Sequence, residues 1–551
     1  MESAAYAPAL ALAWPEIAGD GRYLGLDGTL LFADVSGFTR LSERLARGGR
    51  VGGESIAGIV DDVFTRIIEP VLARGGDVLQ FSGDALLVLL HGASHADRAA
   101  AVALEMQRAL EGVPTIAAPG GSVRLRMSIG LHSGPLGFAR LGVEQGVLLA
   151  LGAGATATCL LEKAAQSGEV LLDEATAAAL VAGGVRMGDP RGPLLRRDRR
   201  ATAWINGLPN VPRRAVGLEH AARAQRCVPL HLRRLLASGQ AEGEHRPLAV
   251  GFIGVRHLDE EIDRRGVHDV VARLEVIAEQ LEDAQRRLGV NWFGCDAMPN
   301  SCSFFVAVGA PVMHDDDEDR LLRALTEVCA LDLGLEVAAG ANRGHVFAAA
   351  IGHPERRTFS VTGDPVNVAA RVTAHAGAGE LLATVPLLEL ADRSWRRVER
   401  PAFRAKGKSR PVAVLAIAGR SERTLGSTAA IGRDVEIDRV RMALARARGG
   451  DGAAFEIAGT TGIGKTTLLD AVVEGHDACV VRVTGDAYRN QPRNTTSGCS
   501  APPFASGMAA RSPSRQAPSR SWFRYASPVT RTPHAAWPST TASSRVVFPL
   551  P

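Results

Sequence analysis

The chain has 551 residues, too many for one hydrophobic core, so about three to four domains are expected. Apolar residues make up 46% and charged residues 22%, as in globular proteins, and a net charge of +4 excludes strong general attraction to nucleic acid. No uncharged apolar stretch reaches the ~18–20 residues of a membrane span, no basic-then-apolar leader opens the chain, and seven scattered cysteines without a C-x-x-C pair fit a reducing compartment, so a cytoplasmic protein without a zinc site is expected.

Residues 21–185 alternate strand-like and helix-like segments and are expected to form a first domain. A short apolar run at 28–35 predicts a strand, and an amphipathic stretch at 42–68 predicts a helix. Residues 78–90 predict a hairpin with Phe81-Ser82-Gly83-Asp84 at its turn. A helix over 96–110, a strand over 123–131, and a strand then helix within 146–161 follow. The order βαββαβ with additions predicts an α+β, ferredoxin-like sheet with helices on one face. Residues 186–246, rich in Arg, Pro and Gly, predict a linker containing some helix.

The pattern recurs over 247–420, the expected second domain. Strands are predicted at 248–255, 302–308, 335–341 and 358–361, with helices at 259–288 and 318–330. Such a repeat predicts an internal duplication whose copies pair, with a site between them.

Residues 430–489 change character. Gly459-Thr460-Thr461-Gly462-Ile463-Gly464-Lys465-Thr466 follows an apolar strand at 453–457 and has the form of a P-loop. In that form Gly459 and Gly464 let the backbone wrap phosphates, Lys465 reaches the β/γ-phosphates and Thr466 binds Mg²⁺. No Asp or Glu follows Asp486, so the later acidic residue of an ATPase is missing and the α/β P-loop segment is incomplete. Residues 490–551 are crowded with Ser, Pro, Thr and Arg, and are expected to be disordered.

The chemistry concentrates in the two repeats. Asp34 ends an apolar strand and precedes Val35-Ser36-Gly37-Phe38-Thr39, and Asp84 follows the hairpin turn. In a ferredoxin-like sheet those strand ends are neighbours, and paired carboxylates need a shared proton or a divalent cation. The segment from Ser36 to Thr39 would aim backbone N–H groups at a phosphate. Singly, Asp34 reads as a helix cap and Asp84 as a turn residue; metal binding rests on the two together. In the second repeat Asn367 and Arg371 lie four residues apart, on one helix face, and reach one substrate together.

These residues carry a resemblance. Phe32-Ala33-Asp34-Val35-Ser36-Gly37-Phe38-Thr39 with Phe81-Ser82-Gly83-Asp84-Ala85-Leu86 resembles the metal-binding signature of class III adenylyl and guanylyl cyclases. The resemblance implies that Asp34, Asp84 and the Val35 backbone hold two Mg²⁺ or Mn²⁺ ions, with Ser36, Gly37, Phe38 and Thr39 on the substrate. The string from Thr358 to Arg371, with Gly363-Asp364-Pro365-Val366-Asn367-Val368-Ala369-Ala370-Arg371 at its end, resembles the family's segment in which Asn positions the ribose and Arg stabilises the α-phosphate. Ser360 stands at the base-contacting position. Lys406 resembles the family's phosphate-binding Lys, although a basic hairpin tip explains it nearly as well.

The repeats are complementary. Gly254 and Cys302 replace Asp34 and Asp84 in the second, and residues from Thr156 to Leu160 replace those from Asn367 to Arg371 in the first. The resemblance therefore implies a pseudo-heterodimer of two cyclase domains with one competent and one degenerate site. Two such repeats followed by a P-loop resemble the soluble adenylyl cyclases over residues 21–480. Four positions depart: residues 291–296 lack the base-selecting Lys, Ser128 (with Arg126 nearby) replaces a phosphate-binding cation, and Gln80 and Cys159 replace bicarbonate ligands. The implied reaction is ATP to 3′,5′-cyclic AMP and pyrophosphate, with GTP as substrate or a catalytically weak nucleotide-binding regulator as alternatives. ATP is the expected partner, with no nucleic acid, and the sequence names no protein partner for the C-terminal region.

Overall fold

The computed structural model describes residues 2–448 except 38–40, 42–43, 45–48, 181–184, 187–188, 190, 197–198, most of 209–243, 311–312, 406–410 and 421–432, and beyond them short segments at 454–460, 468, 472, 479–485, 492–497, 522–526 and 541–547. The chain divides into two units, residues 1–420 and 421–551.

In the first unit helix α1 (Ala9–Ile17) precedes strand β1 (Tyr23–Ser36), helix α2 (Gly49–Ala73) and the hairpin β2 (Asp77–Ser82) and β3 (Ala85–His91). Helix α3 (His95–Glu111), strands β4 (Arg126–Leu141) and β5 (Val147–Leu151), helix α4 (Ala153–Ala164) and strand β6 (Val170–Leu172) follow. Short strands β7 (Val185–Arg186) and β8 (Leu194–Leu195) complete a sheet of order β2-β3-β1-β4-β6-β8-β7, with β5 paired to β4. The first sheet therefore runs past residue 185, into the stretch whose Arg, Pro and Gly content reads as linker. Leu194 and Leu195 are buried there, which is the hydrophobic reason the chain stays on the sheet.

The second half repeats the design. Strand β9 (Glu244–Arg256), helices α5 (Leu258–Arg265) and α6 (Val267–Leu288), and the hairpin β10 (Asn291–Met298) and β11 (Ser301–Val308) come first. Helix α7 (Asp317–Cys329), strands β12 (Glu336–His353) and β13 (Arg356–Thr362), helix α8 (Asp364–His375), and strands β14 (Leu381–Thr384), β15 (Trp395–Glu399) and β16 (Val414–Arg420) follow. Their order, β10-β11-β9-β12-β14-β16-β15 with β13 on β12, reproduces the first sheet strand for strand. The helix expected over 259–288 is interrupted at Gly266, whose φ of +86° ends α5 and caps the start of α6.

One glycine in each half explains how the helix after the second hairpin packs. A Cβ on Gly130 would lie 2.3 Å from the Glu162 nitrogen, and one on Gly340 would lie 2.3 Å from the Thr373 nitrogen. Only glycine lets α4 and α8 lie so close on the central strands. The core of the first half sits between its sheet and α2 and α3: Leu31, Ala33 and Val35 pack with Val63, Phe64 and Ile67. The opposite face carries Leu30, Leu87 and Leu89 into a core that includes Trp292, Ile277 and Leu281 of the second half.

The halves meet through equivalent elements. Strand β5 touches β10 and β2 touches β13; helix α2 touches β12 and α6 touches β4. Exchanging the halves turns each contact into the other of its pair, as in an isologous dimer. The two ends are not equally fastened. Glu282 on α6 accepts backbone N–H bonds from Val143 (3.2 Å), Glu144 (2.8 Å) and Gln145 (3.0 Å), and Glu275 accepts from Gly142 at 2.9 Å. At the other end Thr65 donates to the Gly352 carbonyl at 3.4 Å, beside the His353–Glu69 contact at 3.0 Å and the Arg357–Asp61 ion pair at 3.1 Å. Glu282→Ala leaves three N–H groups, one buried and two partly buried, without their acceptor. It is expected to cost about 2–4 kcal/mol in urea unfolding, where an exposed-helix Glu→Ala change would cost under about 0.5 kcal/mol.

In the second unit a helix (Asp434–Arg448) precedes strands Ala454–Thr460 and Cys479–Gly485. Three more strands, Pro492–Ser497, Trp522–Ala526 and Thr541–Val547, lie in the stretch expected to be disordered, and all five form one sheet. Local runs rich in aromatic and β-branched residues, such as Trp522-Phe523-Arg524-Tyr525, favour strands against the surrounding Ser and Pro content. Gly459 lies in the strand Ala454–Thr460, which pairs antiparallel with Thr541–Val547 rather than with the parallel neighbour an α/β P-loop segment predicts. Gly464, Lys465 and Thr466 lie outside the described residues. Among the described residues no helix is long and apolar enough to cross a membrane.

Candidate active site

Alternate residues of a strand share a face. Leu30 and Phe32 of β1 belong to the core shared with the second half, so Asp34 continues the face that the second half covers. Asp34 lies opposite Ala85 on β3 and Ser128 on β4, and the Val35 N–H donates to the Asp84 carbonyl at 3.2 Å. Gly83, at a φ of +67°, makes the tight turn that sets Asp84 beside the end of β1. The structure thus brings Asp34, Val35 and Asp84 together, as their sequence positions lead one to expect.

Burial raises the pKa of both carboxyls. For Asp84 burial comes first and the charge of Asp34 second, with Glu162 adding to them, and together they push it up to about 7. Glu162, on α4, is pushed up to about 6 by burial and by Asp34, although the Ser128 hydroxyl donates to it at 2.8 Å. Sequence reasoning missed Glu162. Its signal was the close approach of α4 to Gly130, which brings that turn of the helix over the end of β4. Ser128, where the family resemblance implies a cation, is committed to this third acid. Arg126 is exposed and opposite Ser36 at the start of β4.

Among the described residues no Arg or Lys lowers the pKa of Asp34 or Asp84, and no cluster of three or more His, Cys, Asp or Glu is placed to hold a metal. A half-buried pair of carboxylates with no such cation to offset it and a backbone carbonyl beside it is a hard oxygen donor set, and it fits Mg²⁺ or Mn²⁺. Ser36 ends β1, and Gly37 follows at a φ of +97°. Phe38, Thr39 and Lys406 lie outside the described residues.

Asn367 and Arg371 stand one turn apart on α8, both half-buried. The helix starts at Gly363, holds Pro365 in its first turn, and buries Val368, Ala369, Val372 and Thr373. The Asn342 amide pins it by donating to the Pro365 carbonyl at 2.9 Å. Ser360 lies on β13 opposite Ala349. Near it Phe359 stacks on Phe293 at 6.5 Å, and Phe293 packs against Phe305 at 5.0 Å.

Strand register resolves the missing base-contacting Lys. The bulge in β2 falls between Val78 and Gln80, and Gln80 pairs with Leu87; the bulge in β10 falls between Trp292 and Gly294, and Gly294 pairs with Phe305. Gly294 is therefore the counterpart of Gln80, and a Cβ there would meet nothing within 4 Å. The register also places Gly254 (opposite Ser303 and Ala338) at the position of Asp34, and Cys302 at that of Asp84.

The first half is thus an α+β sheet with a carboxylate pair at the end of its first strand, and the second half repeats the sheet without the pair. Residues 27–196 match the family model of the adenylate and guanylate cyclase catalytic domain. The chain carries a domain of the class III cyclase family in this first half. Adenylate cyclase type 10 of Homo sapiens is 24% identical over 389 residues, covering 63% of this chain and 24% of that protein. The chain thus spans about a quarter of the length of that relative. An uncharacterized protein of Mycobacterium tuberculosis is 30% identical over 234 residues, covering 38% of this chain and 41% of that one. Among solved structures, a class III adenylyl cyclase-like ATP-binding protein from Pseudomonas aeruginosa shares the fold at a TM-score of 0.51, with 13% identity over 68% of this chain and 86% of that one.

Proposed function

We propose that the chain is a nucleotide cyclase that converts ATP to 3′,5′-cyclic AMP and pyrophosphate at a single composite site between its two halves, a pseudo-heterodimer. The observation that carries this reading is the half-buried Asp34–Asp84 pair, whose pKa no Arg or Lys among the described residues lowers, on the face of the first sheet that the second half covers. Two Mg²⁺ or Mn²⁺ ions held by Asp34, Asp84 and the Val35 carbonyl would supply the Lewis acidity that activates the ribose 3′-hydroxyl and neutralises the triphosphate. The backbone from Ser36 to Thr39 takes phosphate oxygens. Asn367 orients the ribose, and Arg371 stabilises the charge that builds on the α-phosphate during attack. Either Asn367→Ala or Arg371→Ala is expected to lower kcat by about 10²–10³-fold with little change in nucleotide affinity, measured by steady-state turnover and equilibrium binding.

Base choice is looser than in an enzyme that hydrogen-bonds both edges of adenine. Gly294 offers no side chain, and Ser360 offers one hydroxyl. Discrimination between ATP and GTP then rests on a single hydroxyl. Ser128 held by Glu162 favours a second reading, a catalytically weak nucleotide-binding signalling protein, akin to the ATP-binding cyclase-like fold neighbour. Incubating the full-length chain with Mn²⁺ and ATP or GTP, and assaying cyclic product by chromatography, separates the two. Product that disappears in Asp34→Asn supports the cyclase; bound nucleotide without any product supports the regulator.

A further inference from the structure

The interface has two ends. Across from the site just described lie the counterparts of its residues: Gly254 and Cys302 for the aspartates, Thr156 and Leu160 for Asn367 and Arg371. The same offset carries Gly37 onto His257, with φ of +97° and +57°, and Phe38 and Thr39 onto Leu258 and Asp259. We propose that this second site is filled from within by the tip of the β10–β11 hairpin, so that Asn300 stands where a ligand would and clasps the two halves together. The interface between the halves then takes one nucleotide, not two, and its composite site is assembled without an effector; only the identity of that one nucleotide rests on the cyclase reading.

The hairpin is built to reach. Ser82 pairs with Ala85 at the last rung of β2–β3, and the equivalent rung of β10–β11 is Asp296 with Ser303. Two further rungs follow, Ala297 with Cys302 and Met298 with Ser301, and they carry the turn at Pro299-Asn300 beyond its counterpart. Asn300 adopts a left-handed φ of +51°, which asparagine tolerates well. Its carbonyl accepts from the Leu258 N–H at 3.1 Å and its side-chain oxygen from the Asp259 N–H at 2.9 Å. These are the counterparts of the amides expected to take phosphate in the first site. Its side-chain amide donates to Glu260 at 3.0 Å. Its backbone N–H donates to the Thr156 hydroxyl of the other half at 2.8 Å, and Thr156 is the counterpart of Asn367.

Charge argues the same way. Helix α5 opens with Asp259, Glu260 and Glu261, where a triphosphate would have to sit. Three acids in a first turn stabilise the helix and repel an anion. The walls are joined as well: Gln80 donates to the carbonyls of Leu148 and Cys295, and the Cys159 thiol lies 3.8 Å from the Ala297 carbonyl.

Hydrogen exchange on the full-length chain tests the clasp. In the wild type, protection at Leu258 and Asp259 should be present without ligand and unchanged by inorganic pyrophosphate or by Mn²⁺ with a non-hydrolysable ATP analogue. Asn300→Gly keeps the turn but removes the side-chain acceptor, and should speed exchange at Asp259 roughly tenfold. Thr156→Val, which leaves the hairpin intact, should loosen the same segment. Titration of the ATP analogue into Lys465→Ala, which removes the P-loop lysine from the count, should saturate at one equivalent per chain. A second equivalent, a pyrophosphate-dependent gain in protection at Asp259, or unaltered exchange in Asn300→Gly would each overturn the clasp. No nucleotide binding at all, with Asp259 still protected and released by Asn300→Gly, would support the clasp and defeat the cyclase reading.

Discussion

Asp34→Asn and Asp84→Asn are each expected to lower cyclic-nucleotide formation by at least about 10³-fold, because each removes a charged ligand from the proposed donor set. The second variant carries an independent signature in stability. In the folded chain the Asp84 carboxyl is pushed from its ordinary value of 3.8 up to about 7, by burial first and by Asp34 second. A carboxyl with a raised folded pKa holds its proton more tightly folded than unfolded. Its favourable contribution is complete below pH ~4 and is lost as pH rises through ~7. Without divalent ions, the protein should therefore lose stability from this group between those limits. Asp84→Asn cannot ionise, so relative to wild type it should gain several degrees of Tm at pH 8 and little at pH 4. Mn²⁺ should raise the wild-type Tm at pH 8 and leave that of Asp84→Asn nearly unchanged. Cyclic product retained by Asp34→Asn, or equal Tm gains at both pH values, would remove the pair from the site.

Much of this site was legible in the chain because its residues sit at fixed offsets from strong local signals. Asp34 follows an apolar run, Asp84 follows a Gly turn, and Asn367 and Arg371 occupy one face of a helix whose start Gly363 marks. The duplication was legible too, since hydrophobic period survives when identity does not. What escaped depends on pairing between distant segments. Glu282 and Glu275 look like ordinary charges on an amphipathic helix, yet they hold backbone N–H groups from a loop more than a hundred residues earlier in the chain. Gly294 became the counterpart of Gln80 only through matching bulges, which a linear comparison cannot see. The two extra rungs below Asn300 have the same origin: Pro299-Asn300 signals a turn, but where the turn arrives depends on register. The strands of the second unit show the limit of composition, because a few aromatic and β-branched residues override a Ser- and Pro-rich background.

Arg356→Met should be among the most destabilising single changes in the first unit, at about 3–5 kcal/mol in chemical denaturation. Arg356 belongs to the second half but is buried in the first, 6% exposed. Its guanidinium donates to the carbonyls of Val78 (2.7 Å), Leu79 (3.3 Å), Arg357 (2.7 Å) and Ala5 (3.4 Å), and lies 5.0 Å from the centre of the Phe81 ring. Burial raises the pKa of Asp77, which accepts from the Ala9 and Leu10 amides at the start of α1, and this charge offsets part of that rise. Methionine fills much of the volume, so the loss measures unsatisfied carbonyls and a stranded carboxylate more than a cavity. Burial lowers the guanidinium pKa to about 10, which still leaves it charged at neutral pH, so the deficit should be flat from pH 6 to 9. That flatness distinguishes it from the pH-dependent effect at Asp84. Arg356→Lys should recover less than half the loss, because one ammonium cannot serve four diverging carbonyls. The change should also reach the site: two of the carbonyls it holds, those of Val78 and Leu79, belong to β2, whose turn carries Asp84, while Ser360 lies four residues along β13 from Arg356 itself. Loosening that tie moves the carboxylates relative to the base-contacting strand, so turnover should fall by more than the folded fraction does. Turnover that merely tracks the folded fraction would make Arg356 a stabilising residue alone.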